Sequence, residues 1–239
     1  MLVDIFIPCF IDQIYPETGM NMVRILEKLG VAVFYNSNQA CCGQFAYKDG
    51  FLKQAKKLGE KFLADFQNDR PVVAPSAACA GYVRTYFPRL FHNTSHHLEY
   101  KQLRKNIIEF SDFVVNTLKI EDVGATFPHV VTVHDSCSAL REYGLTDEPR
   151  RLLQKVRGIE IREMRHTDVC CGFGGTFSIN FEPISIAMAR EKINRAMETG
   201  AEYIVSTDSS CLMHLQGYID KQNIPLKTIH LIDIMASGL

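Results

Sequence analysis

The feature that most constrains this chain is a cysteine pattern written twice. The eight cysteines fall into two series of the same shape: Cys9, then Cys41-Cys42, then Cys79; and Cys137, then Cys170-Cys171, then Cys211. The first gap is 32 residues in one series and 33 in the other. The second gap is 37 and 40. Both pairs run straight into glycine, giving Cys41-Cys42-Gly43 and Cys170-Cys171-Gly172. The flanks repeat as well. Val3 to Pro8 leads to Cys9 as Val131 to Ser136 leads to Cys137. Self-similarity at a fixed offset marks duplication of a structural unit. The units expected are residues 1–91 and 129–239, joined by a connecting segment over residues 92–128. Each is about the size of a small domain.

Within each unit the apolar pattern alternates between short β-branched runs and helical spacing. Strands are expected over residues 2–8, 31–35 and 71–74, then over 130–134, 159–164, 204–206 and 228–232. Helices are expected over 16–29, 49–66 and from 79 onward, and over 148–156, 183–198 and 212–218, with one more over 105–118. Pro183 near the start and Gly200 just past the end frame the strongest helix. Strands alternating with helices predict an α/β fold, with two pseudo-repeated Rossmann-like halves each built on a parallel sheet. Ligands bind at the carboxyl edge of such sheets. Cys9, Cys79, Cys137 and Cys211 fall at or just after strand ends, and the Cys-Cys-Gly triplets lie in loops at the same edge. Four sulfurs are therefore expected to converge in each half.

Composition sets the compartment and the partners. Lys plus Arg total 26 against 27 Asp plus Glu, and with no basic surplus there is no electrostatic footprint for nucleic acid. No run of 18 apolar residues occurs, so no integral membrane segment is expected. The N-terminus lacks the marks of a secretory leader, which points to a cytoplasmic chain. Cytosolic thiols are kept reduced, so metal binding or redox chemistry is a better account of eight cysteines than structural disulfides. Structural zinc usually takes two ligands from each tight Cys-x2-Cys turn, and no such turn is present. Adjacent cysteines reach different iron atoms of a cluster more easily than one small ion. The glycine behind each pair frees the backbone to approach. Iron–sulfur binding is favoured, with zinc and a thiol–disulfide switch as the alternatives.

These residues resemble the duplicated cysteine-rich CCG domain, found in the heterodisulfide reductases, in the iron–sulfur component of glycolate oxidase and in lactate-utilisation proteins. The resemblance runs from Cys9 to Cys211. The short chain, without a ferredoxin-type cysteine run, is most similar to the lactate-utilisation branch. The resemblance implies one or two [4Fe–4S] clusters held by Cys9, Cys41, Cys42, Cys79, Cys137, Cys170, Cys171 and Cys211. It implies an electron-transfer subunit of a non-NAD oxidoreductase complex that takes L-lactate to pyruvate with other subunits. It also shows a departure. The family pattern closes each repeat with Cys-x-x-Cys, and here Ser76 and Asp208 stand where the first of those cysteines would be. Five sulfurs per repeat become four, which argues against the five-cysteine noncubane cluster. Ser76 or Asp208 supplies an oxygen ligand or, as the more ordinary expectation, caps the following helix.

Other residues compete for roles. His134 and Asp135, just ahead of Cys137, suit a proton donor or substrate contact, against a strand-end histidine bonded to backbone. Arg84 and Arg141 suit offsetting cluster charge or binding a carboxylate substrate, against ordinary surface arginines. Phe45, Phe173 and Phe177 suit excluding water, against plain core filling. His92, His96 and His97 fit a solvated loop or an interface, against a metal site. Gly172-Phe173-Gly174-Gly175 lacks the full dinucleotide fingerprint, so no NAD site is expected. The functions left in competition are an iron–sulfur electron-transfer subunit, a zinc-binding or structural module without redox role, and a thiol redox protein.

Overall fold

A computed structural model describes residues 1–238. The first half runs β1 (Leu2–Ile5), α1 (Cys9–Ile14), α2 (Pro16–Lys28), β2 (Ala32–Tyr35), α3 (Gln44–Lys48), α4 (Leu52–Asp65), β3 (Val72–Ala74), α5 (Ala77–Phe91), α6 (His97–Asn106), β4 (Ile107–Glu109) and α7 (Phe110–Asp112). A π-helical turn follows over Phe113–Thr117. The second half runs β5 (Val130–Val133), a π-helical turn over Ala139–Tyr143, α8 (Glu148–Leu153), β6 (Glu160–Ile161), α9 (Phe177–Asn180), α10 (Glu182–Glu198), β7 (Tyr203–Ser206), α11 (Ser209–Gln222), β8 (Lys227–His230) and α12 (Leu231–Met235).

The longer elements form where the apolar pattern demands them. In α2, Pro16 starts the helix with its φ already set, and Met22, Ile25 and Leu26 bury one face. Gly30 at φ +77° then ends it. α10 begins at Glu182-Pro183 and stops before Gly200 at φ +70°.

Each half is a four-stranded, fully parallel sheet, and the two orders are the same: β2-β1-β3-β4 and β6-β5-β7-β8. In both, the chain leaves the two central strands in opposite directions. That opens a crevice between their carboxyl ends, the usual ligand position of open α/β sheets. Cys9 and Cys79 follow β1 and β3; Cys137 and Cys211 follow β5 and β7.

The halves share one core. A single apolar cluster joins Val3, Ile5, Met22 and Ile25 to Val131, Val133, Leu231 and Ile234. Helix α5 packs on the 139–143 turn so closely that a Cβ on Gly81 would lie 2.9 Å from the Tyr143 nitrogen. Asp233 of α12 accepts hydrogen bonds from Thr18 and Asn21 of α2 at 2.8 and 2.9 Å.

Three local expectations are corrected. The helix expected over 105–118 is broken, because Ile107 and Ile108 pair with Val72 and Val73 as β4. Beta-branched residues beside an open sheet edge gain more as a strand than as a helical turn. The strand expected over 159–164 keeps only Glu160–Ile161. Cys211 lies inside the first turn of α11, which begins at Ser209 and not after Cys211, while Cys79 falls in the first turn of α5 as expected.

Candidate metal centre

The crevices of the two halves face each other, so all eight cysteines line a single cleft. Within each half the thiols follow one another in the same order. Cys9 and Cys41 lie 4.0 Å apart, sulfur to sulfur. Cys41 then contacts Cys42, and Cys42 contacts Cys79. The second half repeats the chain through Cys137, Cys170, Cys171 and Cys211. Tetrahedral thiolates about 2.3 Å from a metal place their sulfurs about 3.8 Å apart. The Cys9–Cys41 separation matches two thiolates on a single ion, whereas thiolates on different irons of a cluster stand farther apart. All eight thiols are free.

The glycine behind each pair has a definite task. Gly43 and Gly172 adopt φ +89° and +97°, and their N–H groups donate to Cys41 Sγ and Cys170 Sγ at 3.5 and 3.4 Å. A Cβ on Gly172 would lie 2.5 Å from the Ser185 carbonyl oxygen. Only glycine lets the backbone pass that close while aiming its N–H at sulfur.

Crowding makes the bare thiols electrostatically interdependent. Contacts from Cys42 and Cys9 lower the Cys41 thiol to about 3, while the Cys41 contact and burial push Cys9 far up. Its contacts with Cys41 and Cys79, together with burial, push Cys42 up as well. One thiolate can form alone; four cannot coexist so close together without a strong positive charge among them. The donor set therefore fits a metal centre, and soft thiolates select zinc or iron–sulfur chemistry.

Asp208 sits at the junction of the two halves. Its Oδ1 accepts from Ser76 Oγ at 2.9 Å and from the Ala78 N–H at 2.8 Å, and its Oδ2 accepts from Ser136 Oγ. Ser76 also caps its own helix, accepting from the Cys79 N–H at 3.4 Å. The cap expected of Ser76 is present. Asp208 departs from expectation, since it caps α5 of the opposite half rather than its own helix. Both oxygens are committed to protein donors.

His134 sits at the strand end, as expected of it. Its main chain continues the sheet ladder, the N–H donating to Val205 and the carbonyl accepting from Ser206 Oγ. Its ring is buried, and both ring nitrogens lack a hydrogen-bond partner. A ring nitrogen and the sulfurs of Cys171 and Cys211 all lie within 4.8 Å of one another. Burial, reinforced by the Lys192 charge, lowers the imidazole to about 3, so it is neutral. Asp135 is elsewhere engaged. Burial opposes its charge, but a bidentate pair with Arg150 at 2.8 and 2.9 Å outweighs this and keeps its carboxyl below the usual range.

Aromatic rings close the mouth. Phe10, Phe45 and Phe173 meet at 5.7 to 6.2 Å between ring centres, bringing both halves together over the sulfurs. Such a shell controls solvent access and local dielectric. Phe45 and Phe173 are placed as expected. Phe177 is not, because it packs on Phe181 away from the cleft. Arg84 stacks on Tyr143 and donates to the Ile107 carbonyl, and neither it nor Arg141 lines the cleft. His92, His96 and His97 are also remote from it. Sequence reasoning missed Phe10 and the cleft-lining cation Lys48, which pairs with Glu142 at 3.2 Å. Phe10 directly follows a repeat cysteine, a signal that could have found it. Lys48 carried none.

Fold and thiol arrangement together define a duplicated cysteine-rich α/β protein. The chain belongs to the CCG cysteine-rich domain family, whose model matches residues 3–84 and again residues 131–216. Among its relatives, Lactate utilization protein A of Bacillus licheniformis is 39% identical over 238 residues, spanning 99% of this chain and 100% of that protein. Lactate utilization protein A of Bacillus thuringiensis is 36% identical over 238 residues, 99% of each chain. A hypothetical protein from Helicobacter pylori has the same fold, with a TM-score of 0.70 at 11% identity over all of this chain and 49% of that one. Among the described residues, no helix is long and apolar enough to cross a membrane.

Proposed function

We propose that this chain is the iron–sulfur electron-transfer subunit of an oxidoreductase complex in L-lactate utilisation, working in the cytoplasm beside further subunits that bind and oxidise the substrate. The observation that carries this is the pair of matching thiol chains in one cleft, each backed by a glycine N–H aimed at sulfur. The full-length relatives named for lactate utilisation supply the pathway. Cys9, Cys41, Cys42 and Cys79 would hold one cluster, and Cys137, Cys170, Cys171 and Cys211 a second. Bound iron–sulfur clusters supply one-electron transfer. The chain's own residues do the rest. The glycine N–H groups stabilise anionic sulfur, Phe10, Phe45 and Phe173 keep out water, and Asp208 fixes the two thiol sets relative to each other.

Chain purified without oxygen is expected to be brown, to contain iron and acid-labile sulfide in equal amounts, and to give a paramagnetic signal on reduction. Colourless protein without sulfide after anaerobic reconstitution would refute this. A competing occupant has one specific observation behind it. His134, Cys171 and Cys211 form a compact three-donor set that also suits zinc. Stoichiometric zinc without sulfide would establish that reading instead.

A further inference from the structure

The duplication allows each half to serve as a control for the other. The buried residues along α4 and its C-cap are Ala55, Gly59, Phe62, Leu63 and Phe66; those of α10 are Ser185, Ala189, Lys192, Ile193 and Ala196. The spacing is the same, so Lys192 occupies the position of Phe62. Phe6 and His134 likewise stand three residues ahead of Cys9 and Cys137. In the first half these two positions hold an apolar pair, the Phe6 and Phe62 rings meeting edge to face at 4.7 Å. In the second half they hold an imidazole and an ammonium, each only 1% exposed.

That exchange is costly, because a buried cation and an unpartnered imidazole both forgo hydration. The first half shows that the fold does not require polar groups there. Asp135 and Asp168 both lie near enough to act on Lys192, but Asp135 is already bound to Arg150 and neither carboxylate bonds the ammonium. Lys192 Nζ is held by the carbonyls of His166 and Thr167 at 2.9 and 3.0 Å. The Thr167 carbonyl also accepts the Asp135 N–H, next along the chain from His134. One unpartnered ring nitrogen of His134 lies within 4.8 Å of the sulfurs of Cys171 and Cys211.

We propose that Lys192 and His134 are positioning residues that stabilise added negative charge on the second-half centre, making it the more easily reduced of the two. The proposal rests on the iron–sulfur reading above. Reduction adds one electron from a solution reductant to the centre, with no bond made or broken. In the first half Phe6 and Phe62 share a buried cluster with Cys42; in the second, a His134 ring nitrogen lies within 4.8 Å of the Cys171 and Cys211 sulfurs, and Lys192 stands at the position of Phe62. Held cations and hydrogen bonds near a cluster raise its potential.

The test is an anaerobic potentiometric titration with dithionite and mediators, followed by paramagnetic resonance. Wild-type protein should show two waves at least tenfold apart in one-electron equilibrium, equivalent to about 59 mV. Cys42→Ala should remove the lower wave and Cys171→Ala the upper. Lys192→Met should lower the upper wave alone by at least tenfold, and Lys192→Arg should restore it. His134→Phe, copying the first half, should change the line shape of the upper-wave centre only. The cysteine variants assign the waves without altering Lys192, so the ordering stays testable even if Lys192→Met does not fold. A single accessible wave supports the proposal if it survives Cys42→Ala and overturns it if it does not. Coincident waves, an upper wave lost with Cys42→Ala, or a Lys192→Met shift in both waves or neither would overturn it. Protein without iron and sulfide would instead sink the parent reading.

Discussion

At the residue scale, one carboxylate joins the two repeats. Asp208 accepts from Ser76, Ala78 and Ser136, so removing it leaves three donors without an acceptor in a water-poor site. Each such orphan typically costs about 1–3 kcal/mol. Asp208→Ala is therefore expected to destabilise the fold by about 3 kcal/mol or more, with an equal loss in metal-stripped and metal-loaded protein. Denaturant unfolding of both forms checks this. A loss confined to the loaded form would mean that Asp208 acts as a ligand instead. Its identity as an acid after a strand was legible in the sequence. Its partners were not, because two of them lie 130 or more residues away and meet it only when the halves dock.

At the scale of elements, β4 and the turn after it hold a buried acid. Glu109 caps α7 through Oε2, which accepts from the N–H groups of Ser111 and Asp112 at 2.7 and 3.2 Å, while Oε1 has no partner. Burial pushes this carboxyl up to about 8, so the folded protein keeps a proton that the unfolded chain releases near pH 4.5. Stability from this group is therefore complete below pH 4.5 and is lost as pH rises towards 8, at up to about 1.4 kcal/mol per pH unit. Glu109→Gln, which cannot lose a proton, should flatten the fall in melting temperature between about pH 5 and 8. An unchanged slope would show that the acid is already ionised. The long helices α2 and α10 were readable from apolar spacing with a proline start and glycine stop. The three-residue β4 was not, since so short a run reads as strand only when an open edge lies beside it.

Across the whole molecule, the shared core makes the halves one cooperative unit. Val3, Met22 and Ile25 pack in the same cluster as Val131, Leu231 and Ile234. Cutting between the repeats would expose that surface on both sides, and each buried aliphatic side chain left in water costs about 1.5–3 kcal/mol. Calorimetry of the intact chain is expected to give a single transition, and residues 1–128 alone to lack cooperative unfolding. Two separate transitions in the intact chain would contradict this. The cleft belongs to this scale too, because its Phe10, Phe45 and Phe173 lid is built from both repeats.

Sequence alone was enough to establish the duplication, the parallel α/β halves and the eight thiols at the sheet edge. Those follow from local spacing, which survives in a linear string. Tertiary structure decided that the two thiol sets share one cleft and that Asp208 ties the halves together. Each of these depends on contacts between residues far apart in the chain, whose directions are set by packing of the two sheets and not by any local pattern.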